Sequence, residues 1–138
     1  MNNTTRSISL PLLAGDLLVL LIFVIIGQLD HGMSITGALP SLIATTLALA
    51  LPWAIIAWLM GVLRLPGDRT AAAWLGRVAA AWLIAAPLGL ILRALWRGQA
   101  SIILIFMIVA LGLGGLFVLV WRAAVYWWVQ RRALGAKA

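Results

Sequence analysis

Cysteine and glutamate are absent from this 138-residue chain, histidine and tyrosine occur once each, and aspartate occurs three times. Without cysteine there can be no disulfide, no thiolate metal site and no thiol nucleophile. A single histidine, His31, cannot assemble a conventional zinc site. No Ser–His–Asp order, no glycine-rich phosphate loop after a strand and no pair of catalytic carboxylates can be put together from what remains. The chain is therefore read as a non-enzyme that needs no metal and no cofactor.

Hydrophobic residues make up 65% of the chain and charged residues 9%. A soluble domain carries roughly 45–50% apolar and about 25% charged residues, so no soluble core could hide this much apolar surface. One membrane domain is the expected count. The net charge of +7 comes from ten Lys and Arg against three acids. Because the basic residues flank apolar runs, they point to membrane orientation and anionic lipid headgroups, not to nucleic acid.

The hydrophobic runs predict an all-α bundle of four transmembrane helices over about 10–29, 35–63, 71–95 and 100–120, with an amphipathic tail over 121–134. Each run meets the requirement of about twenty residues for a bilayer core. The first lacks a small-residue cleavage site and is read as an uncleaved span. Pro52 and Pro87 fall inside the second and third spans, where a missing backbone donor favours a kink. Short links make consecutive spans antiparallel neighbours. Small residues at four-residue spacing (Ala57 and Gly61, Ala81, Ala85 and Gly89, Ala110 and Gly114) suit close helix approach.

Arg6, Arg64, Arg69, Arg122, Arg131, Arg132 and Lys137 fall on one side of the predicted spans, and Arg93 and Arg97 on the other. The positive-inside rule then places both termini in the cytoplasm. Trp121, Tyr126, Trp127 and Trp128 suit the cytoplasmic interface as anchors, and Trp96 the outer one. Trp53, Trp58 and Trp82 are expected to pack deeper.

Charges within apolar spans are rare and costly, so they mark candidate sites. Asp16 lies six residues after Leu10, and Arg77 six residues after Ala71. At 1.5 Å per residue both sit about 9 Å from the same face. Asp30 and Arg93 lie at matched depth near the other face. This predicts two acid–base rungs between parallel spans, Asp16 with Arg77 and Asp30 with Arg93. The competing reading is structural: the arginines snorkel to the interfaces, and Asp16 is favoured by the dipole of its helix start. Asp16, Leu20, Phe23, Gly27 and Asp30 or His31 form one candidate inward stripe. His31, next to Asp30, is a candidate proton or ligand site, either a pH-sensitive lid or an axial ligand to a pigment or haem; the plainer alternative is a loop residue that meets water.

Ala14-Gly15-Asp16-Leu17-Leu18, Phe23, Gly27, Asp30-His31-Gly32 and Ala38-Leu39-Pro40, with Trp82, Ala86-Pro87-Leu88-Gly89 and Arg93 further on, resemble a prokaryotic membrane family known as domain of unknown function 3054. The resemblance spans about Leu10 to Trp121. It implies a four-helix integral membrane protein of bacteria or archaea and brings no activity, substrate or catalytic residue with it; the expected location is the prokaryotic cytoplasmic (inner) membrane. Function is therefore read from size and surface. The first expectation is an accessory or assembly subunit that packs against other membrane subunits. The alternative is a homo-oligomeric small-solute or ion transporter or channel that uses Asp16 and Arg77.

Overall fold

The computed structural model describes residues 8–30, 32, 34, 36–98 and 104–136, with the side chains of 105 and 106 excepted. The described residues are helical, without strands: α1 (Leu10–Asp30), α2 (Leu39–Leu59), α3 (Ala71–Trp96), α4 (Leu104–Val109), a π-helical segment (Ala110–Gly114) and α5 (Gly115–Gly135). Four helical stretches are long and apolar enough to cross a membrane, the fourth running over Met107–Gly135 through the π segment. The tail expected after residue 120 is thus a continuation of the fourth helix. The second helix is shorter than its apolar run at both ends.

Local chemistry accounts for the boundaries. Thr70 caps α3, its hydroxyl accepting from Ala73 N at 3.3 Å. The end of α2 is a Schellman turn: Gly61 adopts φ +67°, its N–H reaches Trp58 O at 3.0 Å, and Val62 N reaches Ala57 O at 2.9 Å. That turn sends the chain inward, so Val62 and Leu63 are buried. Leu63 O in turn accepts from Ser9 N at 2.8 Å, which ties the start of α1 to the α2–α3 link.

The helices form a ring in which α1 packs on α2 and α5, and α3 packs on α2 and α5. The parallel helices α1 and α3 therefore stand opposite each other across the bundle. Its centre holds Leu20, Trp53, Ala57, Val78, Ala81, Trp82, Ala85 and Val118. Trp53 and Trp82 meet edge to face there, with centroids 5.7 Å apart. Trp58, in contrast, is exposed on the outer surface of α2; the expectation that it packs inward fails because Ala57 holds the inward position beside it.

Glycine at two sites lets backbones and rings come together. A Cβ on Gly89 would lie 2.8 Å from Ala48 O and 3.1 Å from Leu49 Cα. Ala48 O is the carbonyl that Pro52, lacking an N–H, leaves without its helical donor. So the proline of α2 and the glycine of α3 act together, and the freed carbonyl faces a bare Cα. At Gly114 and Gly115 a Cβ would lie 2.8 Å from the Trp82 ring, and Trp82 Nε1 donates to Leu111 O at 3.0 Å. The indole is seated on the π segment, a form of helix whose loosened turn accommodates such an insertion.

Gly89→Ala is expected to lower stability by about 1–3 kcal/mol, because the clash is with backbone and cannot be relieved by a rotamer change. Gly76→Ala, whose Cβ meets nothing within 4 Å, should leave stability unchanged or raise it by up to about 1 kcal/mol. Unfolding in mixed micelles by titration with an ionic detergent measures both.

Candidate functional site

Among the described residues two ionisable side chains are wholly buried inside the bundle: Asp16 on α1 and Arg122 on α5, each 0% exposed. Their approach is prepared by the residues just before them. Gly15 has no side chain, and Trp121 occupies the space; a Cβ there would lie 2.1 Å from Trp121 Cζ2. With the indole laid on Gly15, the next residues of the antiparallel helices face each other.

The contact is bidentate. Arg122 Nε donates to Asp16 Oδ1 at 2.9 Å, and Arg122 Nη2 to Asp16 Oδ2 at 2.5 Å. Trp53 Nε1 from α2 gives Oδ2 a further donor at 3.0 Å. The remaining guanidinium edge is used as well: Nη1 donates to Val62 O at 2.5 Å, the carbonyl turned inward by the Schellman turn. The guanidinium carbon lies 5.5 Å from the Trp74 ring centroid and 6.0 Å from that of Trp53, within cation–π range. Every helix of the ring thus contributes to one site. An isolated charge in this setting is costly; a fork-to-fork ion pair with a further donor on the carboxylate and a backbone acceptor on the guanidinium is the arrangement that makes it tolerable.

Tyr126, one turn after Arg122, closes the site from below. It is buried against Trp74, with centroids 6.1 Å apart, and its hydroxyl donates to Arg69 O at 3.2 Å. Trp74 Nε1 donates to Arg64 O at 3.3 Å. Tyr126 is therefore a core residue and not an interface anchor, because it continues the inward face of α5: Gly115, Val118, Arg122, Tyr126. Trp121 is likewise packed on Gly15. Trp96, Trp127 and Trp128 are exposed.

Arg77, the partner expected for Asp16, lies elsewhere. It is exposed on α3, and its Nη2 donates to Met60 O at 2.8 Å, capping the carbonyl end of α2. Depth matching gave the right level but the wrong neighbour, since parallel helices occupy opposite corners of the ring. At the other end, Arg93 Nε donates to Thr45 Oγ1 at 3.4 Å, Arg97 Nη2 to Ser41 Oγ, and Gln28 Nε2 to Ser41 Oγ at 3.4 Å. Asp30 stands exposed at the end of α1. His31 lies outside the described residues, as do Arg6 and Lys137. The inward face of α1 is Leu12, Asp16, Leu20, Val24 and Gln28; Phe23 sits beside it and meets Phe117 at 6.0 Å. Among the described residues no three His, Cys, Asp or Glu side chains gather.

Arg122 is the residue that depth counting passed over. Ending the fourth span at Val120 made Arg122 an interfacial charge. The available signal was its place on the stripe Val118–Arg122–Tyr126, together with the match of Trp121-Arg122 to Gly15-Asp16 on an antiparallel helix.

The family described as Protein of unknown function (DUF3054) matches residues 13–125. No curated protein and no solved structure matches the chain.

A double-mutant cycle separates the two pairings. Asp16→Asn and Arg122→Gln should each cost about 3–5 kcal/mol, since each strands a buried charge. Their coupling should be about 2–3 kcal/mol, whereas Asp16→Asn with Arg77→Gln should add within about 0.5 kcal/mol.

Proposed function

The chain belongs to the DUF3054 family of proteins of unknown function, and from that premise we propose that it is a non-catalytic multi-pass subunit of a prokaryotic cytoplasmic membrane, packing sideways against a larger membrane complex. The observation that carries this reading is the sealing of the Asp16–Arg122 pair, both side chains 0% exposed with their hydrogen-bonding edges engaged by the protein. A carboxylate that exchanges protons or cations needs access to water from each side in turn; one locked to an indole and to a guanidinium that is itself anchored on a backbone carbonyl serves to fix four helices. Asp16 turned to the bundle axis and Arg77 turned outward to Met60 also count against a water-lined route shared by the two.

A partner has a place to sit on the outer surface between α3 and α5. A shallow apolar depression of about 400 Å³ is lined there by Leu75, Gly76, Ala79, Leu119, Val120 and Ala123. Small residues on a lipid-facing surface admit the close approach of another helix. The end of the bundle that carries Arg64, Arg69, Arg131 and Arg132 faces the cytoplasm in this reading, and the end with Arg97 faces outward.

Purification from the native membrane in mild detergent should yield the chain with a larger membrane protein in fixed ratio. Ala79→Trp should release that partner without changing the unfolding transition. A homo-oligomer alone that carries proton or ion flux in proteoliposomes would overturn the reading. Separately, a reporter fused after Ala138 should be active only in its cytoplasmic-type form; activity of a periplasmic-type reporter would reverse the orientation.

A further inference from the structure

A second recess lies towards the basic end, between the start of α1 and the middle turns of α5. It measures about 590 Å³ and is lined by Ser9, Pro11, Leu12, Leu65, Trp121, Ala124, Val125 and Trp128. Its size falls within the range of roughly 300–1,000 Å³ typical of small-molecule sites. The lining residues are apolar but for Ser9, with two indoles among its walls. The same side of α5 then changes character. Trp128 is followed at three- and four-residue spacing by Arg131 and Arg132, and both are exposed. The Arg132 guanidinium carbon stacks 3.9 Å above the Trp128 ring centroid. From Ala124 to Arg132 the helix advances about 12 Å, so an apolar trough leads to a cationic rim over a short distance.

An object that fits both parts must itself be an amphiphile, apolar along its length and anionic at one end. We propose that this groove is a binding site for one anionic phospholipid, an acyl chain lying between α1 and α5 and the phosphate held by Arg132 with Arg131. Charge complementarity decides the occupant. Arg64, Arg69, Arg131 and Arg132 crowd this end, and Asp68 is the acid placed with them. A free phosphate would leave the apolar trough empty, and a zwitterionic lipid would set its own cation against the arginines. The stack on Trp128 holds the Arg132 guanidinium beside the groove, where it is already placed to meet a phosphate. This goes beyond general attraction of basic flanks to a charged leaflet, because it assigns one chain-sized slot and one headgroup clamp.

Native mass spectrometry of the detergent-purified full chain tests the site, with phosphatidylglycerol and phosphatidylcholine of identical acyl chains as probes. Wild type should retain phosphatidylglycerol with roughly thirtyfold preference, since each arginine near the surface contributes about a fivefold factor. Arg131→Gln with Arg132→Gln should bring that preference close to one while phosphatidylcholine binding persists. Ala124→Trp, on an exposed position that fills the trough, should remove both lipids, with the unfolding transition unchanged. Equal retention of the two lipids by wild type, full retention after Ala124→Trp, or displacement of phosphatidylglycerol by inorganic phosphate would each overturn the proposal.

Discussion

The structure depends on one buried ion pair. Among the described residues Asp16 and Arg122 are the charged side chains that are wholly buried, and the bundle is arranged around keeping them matched. The carboxylate takes two donors from the guanidinium and one from Trp53, and the guanidinium gives its last edge to Val62. These partners come from α1, α2, the turn after α2 and α5, while Trp74 of α3 supplies a ring face. Removing one helix would leave a charge exposed to hydrocarbon. The pair thus provides a registry device: apolar side chains alone would permit the helices to slide or exchange places in lipid, where association has no hydrophobic driving force.

The same rule governs the smaller polar groups. Within a bilayer each donor and acceptor must find a protein partner. Indoles do much of this: Trp53 to a carboxylate, Trp74 to Arg64 O, Trp82 to Leu111 O. Each of these rings fills apolar volume and also delivers one proton to a group that would be stranded. Tyr126 and Arg77 serve loop and helix-end carbonyls similarly. Thr46 Oγ1 and Trp121 Nε1 are the buried side-chain atoms among the described residues that have no hydrogen-bond partner.

Much of the fold was legible in the sequence because hydrophobic run length and turn residues are local signals. The first and third helices match their apolar runs to within a residue, since polar residues flank both runs and Thr70 caps the third. The second run overshot because Met60 to Leu63 are apolar yet form a turn; their hydrophobicity comes from being folded into the core, not from helix. Asp16 was readable as a site residue, since a carboxylate in an apolar span demands a partner. Which partner was not readable from depth alone. Depth is a single coordinate, while neighbour choice depends on how four helices are arranged around an axis. Arg122 was hidden by composition: the aromatic and basic stretch after Val120 resembles an interface, although its every-third-or-fourth pattern belongs to the core. The small-residue rows at Ala81, Ala85 and Gly89 did point inward as spaced.

The central claim is that Asp16 and Arg122 form a closed, ionised contact within the folded bundle. Solid-state NMR on the full chain in bilayers, with carbon label at Asp16 and nitrogen label at Arg122, measures it directly. The account predicts an ionised carboxylate signal and strong dipolar coupling between Asp16 Cγ and the Arg122 nitrogens, as expected for donor–acceptor contacts of 2.5–2.9 Å. A protonated carboxyl signal, or no coupling between the two groups, would contradict it.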